Sequence, residues 1–319
     1  MDAMNAIDVS TLRFLAAPTD IGYSGNVDAG TALSWIDKAA YAVATAWSGR
    51  RCVTAYVGHV RFRRPVRSGE LVEVTARMIH TGRSSMHILV TVDAADPRDG
   101  VFEQAASCLV IFVAIDENGR SVEVPVWQPS SELDRENQAS AVARIALRAD
   151  IEQAMAAQHY TDAGTAPKET LRFLAAPTTV NWGGKVHGGN VMAWIDEAAH
   201  VVASRWSGTT RNVAVYTGGV RFYRPLNIGD LVEVEARLLH TGRRAMHISV
   251  HVRSGDPATR DLQLTTHCLV LFVALDDEGN AVPCPTWTPQ SAEDVALDAH
   301  AVELVRLRDN VGTYAVSDE

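Results

Sequence analysis

The sequence predicts an α+β protein made of two copies of one small domain, each an antiparallel sheet curled around a long buried helix. Three observations carry this. The chain repeats itself: Leu12-Arg13-Phe14-Leu15-Ala16-Ala17-Pro18-Thr19 recurs unchanged as Leu171 to Thr178, and from Leu12 to Gly49 against Leu171 to Gly208, 21 of 38 residues are identical. Each copy then has one long apolar run of helical length. Each helix is followed by runs rich in Val, Ile and Thr and punctuated by Gly and Pro, which read as strands. A period of about 160 residues is too long for a solenoid unit, so one whole domain has been duplicated and fused. At 319 residues the chain has room for two.

The elements follow in the same order twice, over residues 8–130 and 168–290. An extended lead-in comes first. The helices are Ala29 to Trp47 and Gly188 to Trp206, and both stop at Ser-Gly, a natural C-terminal signal. They are apolar on nearly every side, so burial is expected. The strand-like runs of the first copy are Val53 to Phe62, Leu71 to His80, Met86 to Val92 and Ala105 to Ile115. Those of the second are Val213 to Phe222, Leu231 to His240, Met246 to Val252 and Leu264 to Leu275. Thr81-Gly82-Arg83, Ser68-Gly69 and Asn118-Gly119 are turn signals between them. Residues 131–167 form a connection: Ser131 to Gln158 reads as a helix capped by Ser130-Ser131-Glu132, and Tyr160 to Pro167 has linker composition. Ala143, Ile145, Ala146, Ile151, Ala154 and Met155 are the residues expected to pack that helix on the sheet rim. Ser291 to Arg308 is the matching terminal helix, and Val311 to Glu319 is expected to be a disordered tail.

Composition excludes several function classes. Net charge is −9, which argues against broad binding to nucleic acid. No apolar run reaches the roughly 18 residues of a membrane span. Met1 to Ala6 lacks the basic and apolar parts of a signal peptide, and Cys52, Cys108, Cys268 and Cys284 have no metal or redox spacing. A reduced, cytoplasmic setting is therefore expected. His80 and His87, and His240 and His247, flank matching hairpins, but no third ligand stands near in sequence, so no metal site is expected. Phosphate-loop, nucleophile-elbow and dinucleotide motifs are absent.

The stretch most suited to chemistry is Val186 to Ala199. His187-Gly188-Gly189 is a tight turn feeding an apolar helix, so the first helical N–H groups point outward at the positive end of the helix dipole. Two turns on stands Asp196, and Asp37 occupies the same place in the first copy. A carboxylate on a buried helix is either a structural tie or a base or nucleophile with a raised pKa. Helical spacing puts Gly189 and His200 on the face of Asp196, and Gly30 and Tyr41 on that of Asp37. The first copy departs at the helix start, with Asp28-Ala29-Gly30. The Ala29 amide can still donate, but an ionised Asp28 would repel a developing oxyanion, unless it serves simply as an N-cap. Arg61 and Arg63 alternate on one strand face, and the hairpin residues Arg83, Ser84 and Ser85 match Arg243 and Arg244; these are candidates for gripping phosphates, or solvated edge charges.

His187-Gly188-Gly189 with Asp196, Phe62 to Gly69 (Phe-x-x-Pro-x-x-x-Gly) and Gly82-Arg83-Ser84-Ser85 resemble the motifs of the hotdog-fold acyl-CoA thioesterases, and the tandem arrangement is similar to the double-hotdog acyl-CoA hydrolases. The resemblance implies that two hotdogs pair into one sheet of ten to twelve strands. It implies one site combining His187 and Gly188 with Asp37, and another combining Asp28 and Ala29 with Asp196. Relatives often carry Asn or His where Asp28 stands and Gly where Ala29 stands, so the second site departs from the pattern. Also implied are acyl-CoA as substrate, coenzyme A as product, no other cofactor, and a homo-oligomer of three double hotdogs. A non-catalytic acyl-CoA sensor and a hotdog enoyl-CoA hydratase are the competing functions. Sensors usually carry an attached helix-turn-helix, for which about ten residues before the first repeat leave no room, and the motif contexts of hydratases are not found.

Overall fold

The computed structural model describes residues 7–259 and 261–309; the expected tail, Val311 to Glu319, lies outside the described residues. The first copy comprises β1 (Val9–Leu15), α1 (Ala29–Ser48), β2 (Arg51–Phe62), β3 (Leu71–Thr81), β4 (Ser85–Ala95) and β5 (Glu103–Ile115). A connecting helix, α2 (Glu132–Ala156), leads to β6 (Lys168–Leu174), α3 (Gly188–Ser207), β7 (Asn212–Thr217), β8 (Val220–Phe222), β9 (Leu231–Thr241), β10 (Ala245–Gly255), β11 (Gln263–Leu275), β12 (Ala281–Val282) and α4 (Ala292–Asp309). The helices match their expected spans to within two residues at either end.

All strands join one twelve-stranded sheet, ordered β1-β3-β4-β5-β2-β7-β11-β10-β9-β6, with β8 and β12 paired off this path. The order reads outward the same way from the centre, so the halves are related by a pseudo-twofold axis. The seam is antiparallel: Val60 faces Thr217 and Arg61 faces Tyr216, while Tyr56 faces Arg221 and Val57 faces Val220. The second copy's expected single run, Val213 to Phe222, is split here. A side chain on Gly219 would lie 2.5 Å from the Tyr56 hydroxyl, so a residue pair without side chains, Gly218-Gly219, crosses beneath that ring and breaks the ladder.

The alternating buried residues of the strands, such as Val72, Val74, Ala76 and Met78 in β3, face α1 and α3, forming one continuous core. The two helices pack on each other more closely than ordinary side chains allow. A Cβ on Gly30 would lie 2.5 Å from Ala193 Cα, and one on Gly189 would lie 2.7 Å from Ser34 Cα. Glycine at both places lets each helix start lean on the middle of the other helix.

The other face of the sheet carries α2 and α4. Ser131 caps α2, accepting from the Asp134 N–H at 3.1 Å. The buried stripe of α2 differs from the expected set. Met155 is buried and Ile151 and Ala154 are partly so, but Ala143, Ile145 and Ala146 are exposed. The stripe runs instead through Asn137, Ala141, Arg148, Ile151 and Met155, because the long stem of Arg148 can lie over the Tyr56 ring, 5.8 Å from its centroid. Leu297, Ala301 and Leu304 of α4 pack with Met155 on Leu239, Leu269 and Leu271.

Candidate active site

The crossing of α1 and α3 puts each helix start beside the carboxylate of the other helix. Two interface cavities result, one on each side of the pseudo-twofold axis.

The first cavity, of about 690 Å³, contains Asp37 of the first copy and His187 and Gly188 of the second. Asp37 is 2% exposed and lies among apolar helix residues. Its Oδ1 accepts from the Thr54 hydroxyl at 2.8 Å, and its Oδ2 lies 3.1 Å from His187 Nδ1. His187 also caps α3: its Nδ1 accepts from the Gly189 N–H at 3.1 Å, and that same N–H approaches the Asp37 carboxylate. The imidazole thus lies directly against the Asp37 carboxylate. Burial raises the Asp37 pKa, and His187, the Thr54 hydroxyl and the Gly189 amide pull it down. A side chain on Gly188 would lie 3.1 Å from Thr54 Oγ1 and 3.2 Å from Asp37 Oδ2, so only a bare residue leaves the approach to the acid open.

The cavity walls are apolar, with Val53, Phe112, Val186, Val191 and Leu226, and its rim carries the cations Arg51, Lys185 and Arg224 alongside Asp116 and Glu117. Trp182, 69% exposed, lies over Tyr41 with ring centroids 4.8 Å apart and meets His187 edge-on. The loop holding Trp182 is folded by Asn181, whose Oδ1 accepts from the Gly183 and Lys185 N–H groups at 2.8 and 3.0 Å. Arg51 of the other copy donates to the Gly183 carbonyl at 2.8 Å and ties that loop down.

The second cavity, of about 740 Å³, contains Asp196, Asp28 and Ala29. Its chemistry is different. Asp28 caps α1, accepting from the Thr31 N–H at 2.6 Å. The Gly30 N–H donates to Asp196 Oδ2 at 3.4 Å, while Asp196 Oδ1 is buried with no partner among the described residues. The register explains the orphan: Thr54 pairs with Phe112 in the first copy, and Ala214 pairs with Phe272 in the second, so Ala214 stands where Thr54 does. Burial and the Asp28 carboxylate push the Asp196 pKa up to about 7. Tyr23 stacks on His200 as Trp182 does on Tyr41, with centroids 5.4 Å apart.

Thus the structure brings Asp37, His187, Gly188 and Tyr41 together, and Asp196, Asp28, Ala29 and His200 together. Gly189 sits at the helix crossing and offers its N–H to the first site. Arg61 is exposed on the seam strand, while Arg83, Ser84 and Ser85, and Arg243 and Arg244, lie in the β3–β4 and β9–β10 hairpins; none of these lines either cavity. The cations that do are Arg51, Lys185 and Arg224 on one side and Arg63, Arg64 and Arg67 on the other. Sequence reasoning did not single out Thr54, Asn181 or Trp182. Only Thr54 left a signal: Arg51-Cys52-Val53-Thr54-Ala55-Tyr56 against Arg211-Asn212-Val213-Ala214-Val215-Tyr216 changes threonine to alanine within a segment that keeps Arg, Val and Tyr in both copies. His80 meets His87 edge-on, and His240 meets His247 likewise. Among the described residues no group of three or more His, Cys, Asp or Glu is placed to hold a metal ion.

The family model for the thioesterase superfamily matches the chain twice, at residues 24–101 and 183–260, once over each helix-and-strand unit. A solved hexameric acyl-CoA thioesterase is 31% identical over 45% of this chain and 91% of its own, with a TM-score of 0.43. The chain belongs to the thioesterase superfamily. The acetyl-coenzyme A thioesterase of Mus musculus is 24% identical over 339 residues, 97% of this chain and 58% of the mouse protein. A solved Lactobacillus plantarum structure, assigned as an oleoyl thioesterase, shares the fold over 86% of this chain and 98% of its own, with a TM-score of 0.60 at 12% identity. The chain spans about half the length of the mammalian relatives that it matches over most of its own length, from 49% to 58%. No helix among the described residues is long and apolar enough to cross a membrane.

Proposed function

We propose that the chain hydrolyses acyl-CoA thioesters to a carboxylic acid and free coenzyme A, and that it does so at the Asp37–His187 site. The observation that carries this is the buried Asp37 carboxylate, held by Thr54 and His187, facing the bare helix start at Gly188. The thioester carbonyl oxygen takes the Gly188 N–H and the positive end of the α3 dipole, which stabilise the charge that develops there. Asp37 takes a proton from water as the water oxygen bonds to the carbonyl carbon. The tetrahedral intermediate then collapses, the C–S bond breaks, and the proton passes from Asp37 to the departing thiolate. Both carboxylate oxygens of Asp37 are already engaged, which favours proton transfer over direct attack to form an anhydride. His187 packs against the carboxylate and orients it. The rim cations suit the phosphates of coenzyme A, and the apolar walls suit the acyl chain. The reaction written this way uses no cofactor.

The second site is unsuited to the same step. An oxyanion beside Ala29 would form next to Asp28, and Asp196 has no hydroxyl to hold it as a carboxylate. Assembly into a homo-oligomer of three such chains belongs to the same reading, and its mass in solution tests it. The deciding experiment follows thiol release from acyl-CoAs of graded length. Asp37→Asn is expected to lose at least a hundredfold in kcat, and Asp196→Asn to stay within about threefold of the parent. The reverse pattern would move the chemistry to the other site, and no release from any chain length would refute the reading.

A further inference from the structure

The second cavity has lost the groups that would act on a thioester, yet it has not closed. At about 740 Å³ it is no smaller than its counterpart of about 690 Å³. The losses share one direction: Ala214 for Thr54, Asp28 for His187 and Ala29 for Gly188 all remove assistance to a base or an oxyanion. The rim has kept its cations. Arg63, Arg64 and Arg67 line it, three cations as in the first cavity, where they are Arg51, Lys185 and Arg224. Arg64 is fixed in place, donating to both Glu70 carboxylate oxygens at 3.1 Å and to the Ala94 carbonyl at 2.5 Å. Arg63 and Arg67 are exposed and point no further than the rim. Deeper in, the buried Asp196 Oδ1 lacks a partner among the described residues. A buried polar atom left this way costs free energy that a ligand donor or acceptor would recover.

We propose that this second cavity binds a molecule of acyl-CoA, or coenzyme A itself, without hydrolysing it. Resting on the thioesterase reading for the identity of its ligand, it makes a separate claim about stoichiometry. The exposed Arg63 and Arg67 guanidinium groups take the phosphates of the nucleotide end, beside an Arg64 held by Glu70. The interior, with Asp28 and Asp196, repels a carboxylate, so the ligand must enter with a neutral acyl or thiol end. Free fatty acid, the product of hydrolysis, is therefore excluded from this cavity while intact acyl-CoA is admitted.

The probe is S-butyl-CoA, a thioether that cannot be hydrolysed, titrated calorimetrically into the full chain. Two molecules are expected to bind per chain. The double variant Arg63→Glu/Arg67→Glu is expected to bind one, with thioester turnover within twofold of the parent, since neither residue lines the first cavity. The Asp37→Asn variant is expected to bind two and release no coenzyme A from a true thioester. One molecule or none bound by the parent chain, or two still bound by the arginine variant, overturns the proposal. So does residual coenzyme A release in Asp37→Asn that disappears on adding Asp196→Asn, because the second cavity would then be catalytic. Two molecules bound with no hydrolysis by the parent leave this proposal standing and sink the thioesterase reading instead.

Discussion

Replacing Thr54 with alanine gives the first site the same defect that the second already carries. The Thr54 hydroxyl donates to Asp37 Oδ1 at 2.8 Å, and in its absence that oxygen would be an orphan like Asp196 Oδ1. A hydrogen bond to a charged group contributes about 1.5–3 kcal/mol. It favours the ionised form, and 1.36 kcal/mol corresponds to about one pKa unit, so losing it should raise the Asp37 pKa by roughly one to two units. The sign follows directly. Burial already holds this pKa above that of an ordinary aspartate, and Thr54 opposes the rise. With the hydroxyl gone, less carboxylate is available as a base at any pH below the new pKa. The acidic limb of kcat against pH should therefore move up by one to two units, with a loss of roughly 10- to 100-fold on that limb and recovery at higher pH. Thr54→Ser should restore the parent profile. The assay is thiol release between about pH 5 and 9. An acidic limb that stays in place, or a loss equal at every pH, would refute the claim that Thr54 acts through the ionisation of Asp37.

Other expectations follow from the packing and the buried histidines. Gly189→Ala would drive a methyl against Ser34 Cα at 2.7 Å, and since the obstacle is backbone, the helices must separate; a loss of roughly 1–3 kcal/mol and a lower Tm are expected, with an unchanged Tm refuting the close approach. The second copy buries His251 and His267, stacked 3.9 Å apart under Tyr160, with Arg237, Arg253, Glu293 and His300 around them. Burial holds both histidines neutral, well below the usual value for His251 and down to about 3 for His267. Their folded values lie below the unfolded one, so stability is complete above about pH 6.5 and falls as pH drops, by up to roughly 1.4 kcal/mol per pH unit for each. His251→Thr/His267→Ser, which copies Thr91 and Ser107 of the first repeat, should flatten the urea midpoint between pH 6 and 4; an equally steep dependence would remove these two from the account.

Much of the fold was legible because its signals are local. The duplicated Leu-Arg-Phe-Leu-Ala-Ala-Pro-Thr block, the Ser-Gly stops and the Val-rich runs each act within one element, and their ends moved by only a few residues. The broken strand at Gly218-Gly219 was not legible, since its cause is Tyr56, a residue 163 positions away that meets it only across the seam. The stripe on α2 was misjudged because apolar type was weighed above spacing, and the arginine stems that complete it carry apolar surface under a polar name. Asp37 and Asp196 stood out as acids on greasy helices. The hydroxyl beside one of them did not, because a threonine in a strand is unremarked until its partner is known. The basic rims were legible only at Arg63: hairpin arginines adjoin the motifs in sequence, whereas Arg51 and Arg224 reach the first cavity only through sheet geometry.

Joining the copies in one polypeptide has a consequence for how such a molecule can change. In a homodimer, each substitution near the two-fold axis arrives twice, and harm to one centre is harm to both. Here the crossing helices belong to different stretches of a single gene product, so His187 and Asp28 can diverge while the surrounding scaffold keeps its symmetry. The linker thus does more than hold the halves at high local concentration; it frees each side of the axis to take up a separate trade.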